Sequence, residues 1–231
     1  MPPRRTKLQG RRKRYAIATG VAVVAISVAL YLASERHPYK NFNIWNFDSY
    51  EEDKAPDGFL SMLTGSGEKG SWIVRADDSA TSKPNVLAQL SNNETQARYQ
   101  ILIMQDGFYS NFKASVTFKI ISGEREQAAG LIFRFQDYSH YYVLVADALN
   151  DRFSLCRSEP SKLVCTQDFK IDLTTGQWHT ITTQVSSQGI AGYLDDKLLI
   201  QRYDRHYITG QIGLWTKGDS AAYFDDLKIE Y

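Results

Sequence analysis

The chain has 231 residues, enough for one sizeable domain with additions, and its formal charge of +1 hides two unlike parts. Residues 1–40 hold nine Lys/Arg and one Glu, whereas residues 41–231 hold 18 Lys/Arg and 25 Asp/Glu. A body that acidic lacks the concentrated basic face a phosphate backbone requires, which argues against nucleic acid as its partner.

Residues 1–14 form a basic segment, "RRTKLQGRRKR" at its centre. Tyr15 to Ala33 follow, nineteen residues without a charge. About 20 apolar residues cross a bilayer as a helix, and the preceding Lys/Arg cluster holds its own side in the cytoplasm. The reading is a single-pass signal-anchor, with everything after Ser34 extracytoplasmic, in the periplasm or at the cell surface. A cleaved signal peptide shares this layout, but the run is long for one and "VALYLASERH" lacks a small-x-small cleavage site. Residues 34–43 read as a short stalk, and residues 44–231 as one domain.

From Ile44 the chain becomes short apolar–polar alternations punctuated by Gly, Asn, Asp and Ser. "FKASVTFKI" sets Phe112, Ala114, Val116, Phe118 and Ile120 against Lys113, Ser115, Thr117 and Lys119, a half-buried strand. "GLIFRF" sets Leu131, Phe133 and Phe135 against Ile132 and Arg134. "YYVLVA" is apolar on both faces, as a covered central strand would be. "RFSLCR", "KLVCTQDFKI", "WHTITTQV", "GIAGYLD", "KLLIQRY", "QIGLWT" and "AAYFDDLKIE" continue the series, with turns at "TTGQ", "SSQG", "LDDK" and "TKGD". "GFLSML" near 58–63 is the one helix candidate. About fourteen short strands at this spacing predict an all-β, two-sheet antiparallel jelly-roll sandwich.

Cys156 and Cys165 flank "RSEPSKLV"; a turn at "EPSK" places them opposite one another on two strands. Outside the cytoplasm they are expected to form a disulfide. A metal pair is disfavoured, since no His or third Cys is near in sequence.

Three segments, "GLIFRFQDYSHYYVLV", "WHTITTQVSSQGIAGYLDDKLL" and "TGQIGLWTKGDSAAYFDDLKI", resemble the concanavalin A-like lectin/glucanase superfamily. Within it the chain is most similar to bacterial laminin-G-like and 3-keto-disaccharide-hydrolase-type domains, and "GSWIVRADDSATSKPNVLAQLS" fits their opening strands. The resemblance implies a jelly roll over most of 44–231. It leaves activity open among hydrolases, lectins and adhesive modules. Glucanases of this superfamily carry a Glu-x-Asp-x-x-Glu strand, and retaining chemistry needs two carboxyls about 5 Å apart. This chain has no such run; "EREQ" at 124–127 falls in a turn. No catalytic residue is assigned.

Candidate ligand-binding residues follow from side-chain placement. Arg134 alternates with core positions, so it either points into the concave groove as a fork for hydroxyls or a carboxylate, or is solvated. Trp215 shares a face with Gly213 and Lys217, either as a stacking platform for a sugar ring or packed under a loop. Lys217 and Asp219 lie at a strand end and turn, and serve either a ligand or the turn itself. Asp225 and Asp226 interrupt the alternation of "YFDDLKI", which requires either apolar burial on both faces or a bulge. That pair would supply a structural Ca²⁺ with only part of its six to eight oxygens; no other cofactor is expected. In "DYSHYY", Tyr138 or His140 faces a ligand and one of Tyr141 and Tyr142 enters the core, with Tyr142 kept as a candidate. Trp72 and Trp178 read as core plugs. Asn93-Glu94-Thr95 is a glycosylation sequon.

The function these features suggest is a membrane-anchored, extracytoplasmic domain that binds carbohydrate or a surface glycan on its concave face. The alternatives are a glycoside-cleaving enzyme of the 3-keto-disaccharide type and a structural or protein-binding laminin-G-like module.

Overall fold

A computed structural model describes residues 39–65, 67–91, 98–160 and 162–231. The basic segment, the expected span Tyr15–Ala33, half of the stalk (residues 34–38) and Asn93 lie outside those residues. Among the described residues no helix is long and apolar enough to cross a membrane, and every regular element is a strand. In chain order these are β1 (Phe42–Trp45), β2 (Phe59–Thr64), β3 (Trp72–Ala76), β4 (Asn85–Gln89), β5 (Tyr99–Met104), β6 (Phe112–Ser122), β7 (Ala128–Asp137) and β8 (His140–Asp147). They continue as β9 (Arg152–Glu159), β10 (Lys162–Lys170), β11 (His179–Ser186), β12 (Gly189–Leu194), β13 (Lys197–Arg202), β14 (Gln211–Lys217) and β15 (Ala221–Glu230).

Two antiparallel sheets result. The eight-stranded sheet runs β13-β12-β11-β6-β15-β4-β3, with β1 also on β15; the seven-stranded sheet runs β10-β9-β8-β7-β14-β5-β2. The core lies between them. Phe112, Ala114, Val116, Phe118 and Ile120 of β6 face Leu131, Phe133, Tyr142, Leu144 and Leu214 of the other sheet, all buried. Strict period-2 alternation in "FKASVTFKI" put the phenylalanines inside and the lysines outside, since successive side chains of a strand point to opposite faces. Each fully buried Phe or Leu contributes roughly 1.5–3 kcal/mol over its exposed state.

Turn chemistry closes the hairpins where expected. Between β12 and β13, Asp195 and Asp196 both have positive φ, 48° and 61°. Two such residues in a two-residue loop match the twist of the flanking strands.

Four expectations are corrected. "GFLSML" is a strand: all six residues of β2 pair with β5, from Phe59↔Met104 to Thr64↔Tyr99, and that ladder outweighs local helix propensity. Sheet pairing starts at Phe42, inside the expected stalk, where Phe42↔Glu230 joins β1 to β15. Trp178 is not a core plug: it is only partly buried, and its indole N–H donates to the Ser79 carbonyl over the outer side of the eight-stranded sheet. Tyr141 and Tyr142 are both buried, on opposite faces of β8. The Asp225–Asp226 interruption is a bulge: the β15/β6 register shifts between Asp225 and Lys228, and Asp226 takes φ 48°.

Candidate functional site

The outer face of the seven-stranded sheet carries Trp215 and Lys217 of β14, with Tyr138 in the β7–β8 turn at its rim. Its centre is hydrocarbon. Ile101, Ile103, Ile132, Val143, Val145, Tyr141 and Trp215 form a second apolar cluster there, all buried. A broad wet groove across the middle of this face, as expected from the sequence, is therefore replaced by packed side chains.

The candidate residues sort accordingly. Trp215 does point to the outer side, opposite Leu214, but it has no exposed surface. Gly130 leaves room for the indole to lie flat: a Cβ there would stand 3.2 Å from Trp215 Cε3. Tyr99 stacks on its upper side, with centroids 5.1 Å apart and planes at 25°. The platform a ligand would see is thus Tyr99.

Arg134 is buried at 4% exposure rather than displayed. Its backbone has φ 51°, and the β7/β8 register shifts between Phe133 and Asp137. That irregularity moves Phe135 off the core side, where Leu131 and Phe133 sit, to the outer cluster with Ile132. The guanidinium instead ties two loops together, Nη1 donating to the Tyr207 carbonyl at 2.9 Å and Nη2 to the Ser110 carbonyl at 3.0 Å. Burial holds its pKa below the usual arginine value.

Tyr142 packs in the core against Phe133 at 5.5 Å, nearly parallel. Its hydroxyl donates to Asp204 Oδ1 at 2.5 Å and accepts from the backbone N–H groups of His206 and Tyr207. Burial, then the Asp204 carboxylate, pushes this phenol up. Arg157 completes the knot with ion pairs to Asp204 and Glu159.

Asp219 is buried and accepts from the backbone N–H groups of Glu124, Glu126 and Arg125 at 2.7, 2.9 and 3.1 Å. Burial alone would raise its pKa, but these donors outweigh it and hold the carboxyl below its usual range. Lys217 pairs with Glu126 at 2.7 Å. Asp225, fully buried, accepts from Thr81 Oγ1, Ser82 N, Ser82 Oγ and Asp226 N; burial pushes its pKa up. Asp219 and Asp225 are thus taken up by the 124–126 and 81–82 segments, and Lys217 is held by Glu126. Among the described residues no group of three or more His, Cys, Asp and Glu is placed to hold a metal ion.

Tyr138 alone of the candidates is displayed, at 60% exposure. It lines a hollow of about 360 Å³ at one end of this face, together with Tyr99, Ser139, Ser158, Glu159 and Lys162. A smaller hollow of about 150 Å³ lies on the other side of Tyr99, against Trp215, Lys217, Arg152 and the disulfide. Cys156 and Cys165 are bonded, opposite each other in the β9/β10 register.

No family model matches the chain, and no curated protein does. Solved structures do match. Carbohydrate binding module CBM66 from Bacillus subtilis superposes with a TM-score of 0.62 at 20% identity, over 75% of this chain and 96% of that one. The fold is a two-sheet antiparallel jelly roll. The VIP36 exoplasmic/lumenal domain in its Ca²⁺/Man-bound form aligns at TM-score 0.56 and 11% identity, over 81% of this chain and 88% of that one. Domain 4 of AbnA, a GH43 extracellular arabinanase from Geobacillus stearothermophilus, solved with arabinotriose, aligns at 0.53 and 12%, over 81% and 90%.

Within the jelly roll, sequence reasoning missed Tyr99 and the Ser158–Glu159 segment. A signal for Tyr99 existed: "YQILIM" alternates, so Tyr99, Ile101 and Ile103 share the face that holds Trp215. The role of Asp204, sixty-two residues from Tyr142, had no local signal.

Proposed function

We infer that this jelly roll binds carbohydrate in the hollow between Tyr99 and Tyr138. The observation that carries the reading is the pairing of aromatic and hydroxyl groups there. Tyr99 is held flat by Trp215 beneath it, and Tyr138 stands exposed beside it. Sugar rings stack their C–H faces on such surfaces. Ser139 and Ser158 bring hydroxyls to the hollow, and Glu159 and Lys162 add a charged pair at 3.3 Å. The carbohydrate-binding names among the similar folds support the reading, since this architecture serves sugar recognition in those proteins.

The same inference includes a single-pass anchor at Tyr15–Ala33 and an extracytoplasmic jelly roll. The Cys156–Cys165 bond supports it, because disulfides persist in oxidising compartments.

The test is a screen of neutral and acidic oligosaccharides against the full chain in a non-glycosidic detergent. A binder is expected, and Tyr138→Ala should weaken it about ten-fold, the scale of one lost stacking contact, without moving the melting temperature. If every sugar that binds the wild type binds Tyr138→Ala and Ser158→Ala equally well, this site is sunk. Release of reducing sugar during the assay would replace the binding reading with a catalytic one.

A further inference from the structure

The outer face of the eight-stranded sheet carries a second hollow that none of the sequence-derived candidates lines. It holds about 360 Å³ and lies over β11, β12 and β13, near the β11–β12 turn. The register explains its shape. Gln184 of β11 pairs with Ala191 of β12, and Ala191 pairs with Gln201 of β13. These three therefore form one row across the sheet on one face. The alternate positions Val185, Ile190 and Ile200 are buried in the core. A small alanine between two glutamines makes the floor of a trough with a carboxamide on each wall. Tyr193, two residues along β12 on the same face, bounds it at one end; Tyr203, beyond β13, is 67% exposed.

We propose that this trough is a second saccharide site, recognising a neutral, hydroxyl-rich glycan. The Gln201 carboxamide, on the exposed edge strand, carries two donors and an acceptor. Vicinal sugar hydroxyls donate and accept at once, so they suit such walls better than a phosphate or carboxylate would. Arg202 is the one charged lining side chain and no carboxylate lines the hollow. An anionic ligand would meet a single cation on a body with an excess of acids. Exposed Tyr203 supplies the stacking surface. The site stands on the opposite sheet from the Tyr99–Tyr138 hollow and does not depend on it.

The experiment is calorimetric titration of the full chain, in a non-glycosidic detergent, with cello-, manno- and arabinohexaose and with hexagalacturonate. At least one neutral hexasaccharide is expected to bind in a mode that survives Tyr138→Ala. Ala191→Leu fills the trough floor from the solvent side and should abolish that mode. Gln201→Ala, on the exposed edge strand, should weaken it about ten-fold, the scale of one lost hydrogen bond in a site, and serves equally if Ala191→Leu folds poorly. The proposal is overturned if no neutral sugar binds Tyr138→Ala. It is equally overturned if Gln201→Ala and Ala191→Leu bind as wild type, or if only hexagalacturonate binds and Arg202→Gln abolishes it.

Discussion

The two outer faces of this jelly roll use the same kind of strand to opposite ends. On the seven-stranded sheet, β5, β7, β8 and β14 are apolar on both sides, and Ile101, Ile132, Val143 and Trp215 are buried where an ordinary antiparallel sheet would meet water. On the eight-stranded sheet, β6 alternates from Phe112 to Phe118 and β11 from Thr183 to Ser186, so Lys113, Ser115, Thr117 and Gln184 stay on the outside. The lesson concerns where recognition can occur. A sheet apolar on both sides confines polar chemistry to its rim, which is where Tyr138, Ser158 and Glu159 are found. An alternating sheet can open a polar trough on its face wherever a small residue such as Ala191 falls in the row.

Removing one aromatic from each face is the strongest way to break this contrast. Trp215→Ala should cost about 3–5 kcal/mol, as truncation of a buried large aromatic does. Tyr193→Ala should stay within about 1 kcal/mol, as surface changes do. Denaturant midpoints measure both, and similar losses would show that Trp215 is not a packing residue. Next in size, replacing Cys156 and Cys165 by Ser should cost about 2–3 kcal/mol, given the short loop they close. The same loss should appear in wild type on reduction, and an unchanged midpoint would mean the bond adds nothing.

Asp219 sharpens the comparison at the rim. Asp219→Ala leaves three backbone N–H groups without their acceptor and should cost about 1–3 kcal/mol. Its folded pKa, like those of Asp204 and Asp77, lies below the ordinary value. Such groups stabilise above the unfolded pKa of about 3.9 and lose that contribution as pH falls through the folded value. The melting temperature should therefore drop below about pH 4, and Asp219→Asn should flatten that drop; an identical acid limb in the variant would remove Asp219 from the account. Smallest of all, Lys217→Ala breaks a partly exposed ion pair with Glu126 and should change stability by less than about 1 kcal/mol.

Much of the architecture was legible because period-2 patterns carry it. "FKASVTFKI" named its buried face correctly, and the three-residue spacing of Phe224 and Leu227 left burial on both faces or a bulge, of which the β15 register shows the bulge. The site was less legible for a physical reason. Positive φ at an arginine has no sequence signature, so nothing in "GLIFRF" announced that Arg134 would turn inward to the Tyr207 and Ser110 carbonyls. Asp219 and Asp225 looked like ligands because short-range sequence cannot show which backbone N–H groups, some 93 to 143 residues away, will claim a carboxylate. Trp215 was placed on the right face, but whether a face is wet depends on its neighbours in three other strands.

The pairing of β1 with β15 has a mechanical consequence. The carbonyl of Tyr231 accepts from the N–H groups of Lys40 and Asn41, so the two ends of the folded body emerge side by side. Tension applied through residue 40 therefore meets a four-residue strand first. Its load falls on a handful of hydrogen bonds that open one after another, like a zipper pulled from its end, before it reaches Trp45, which packs against the core beside Phe59.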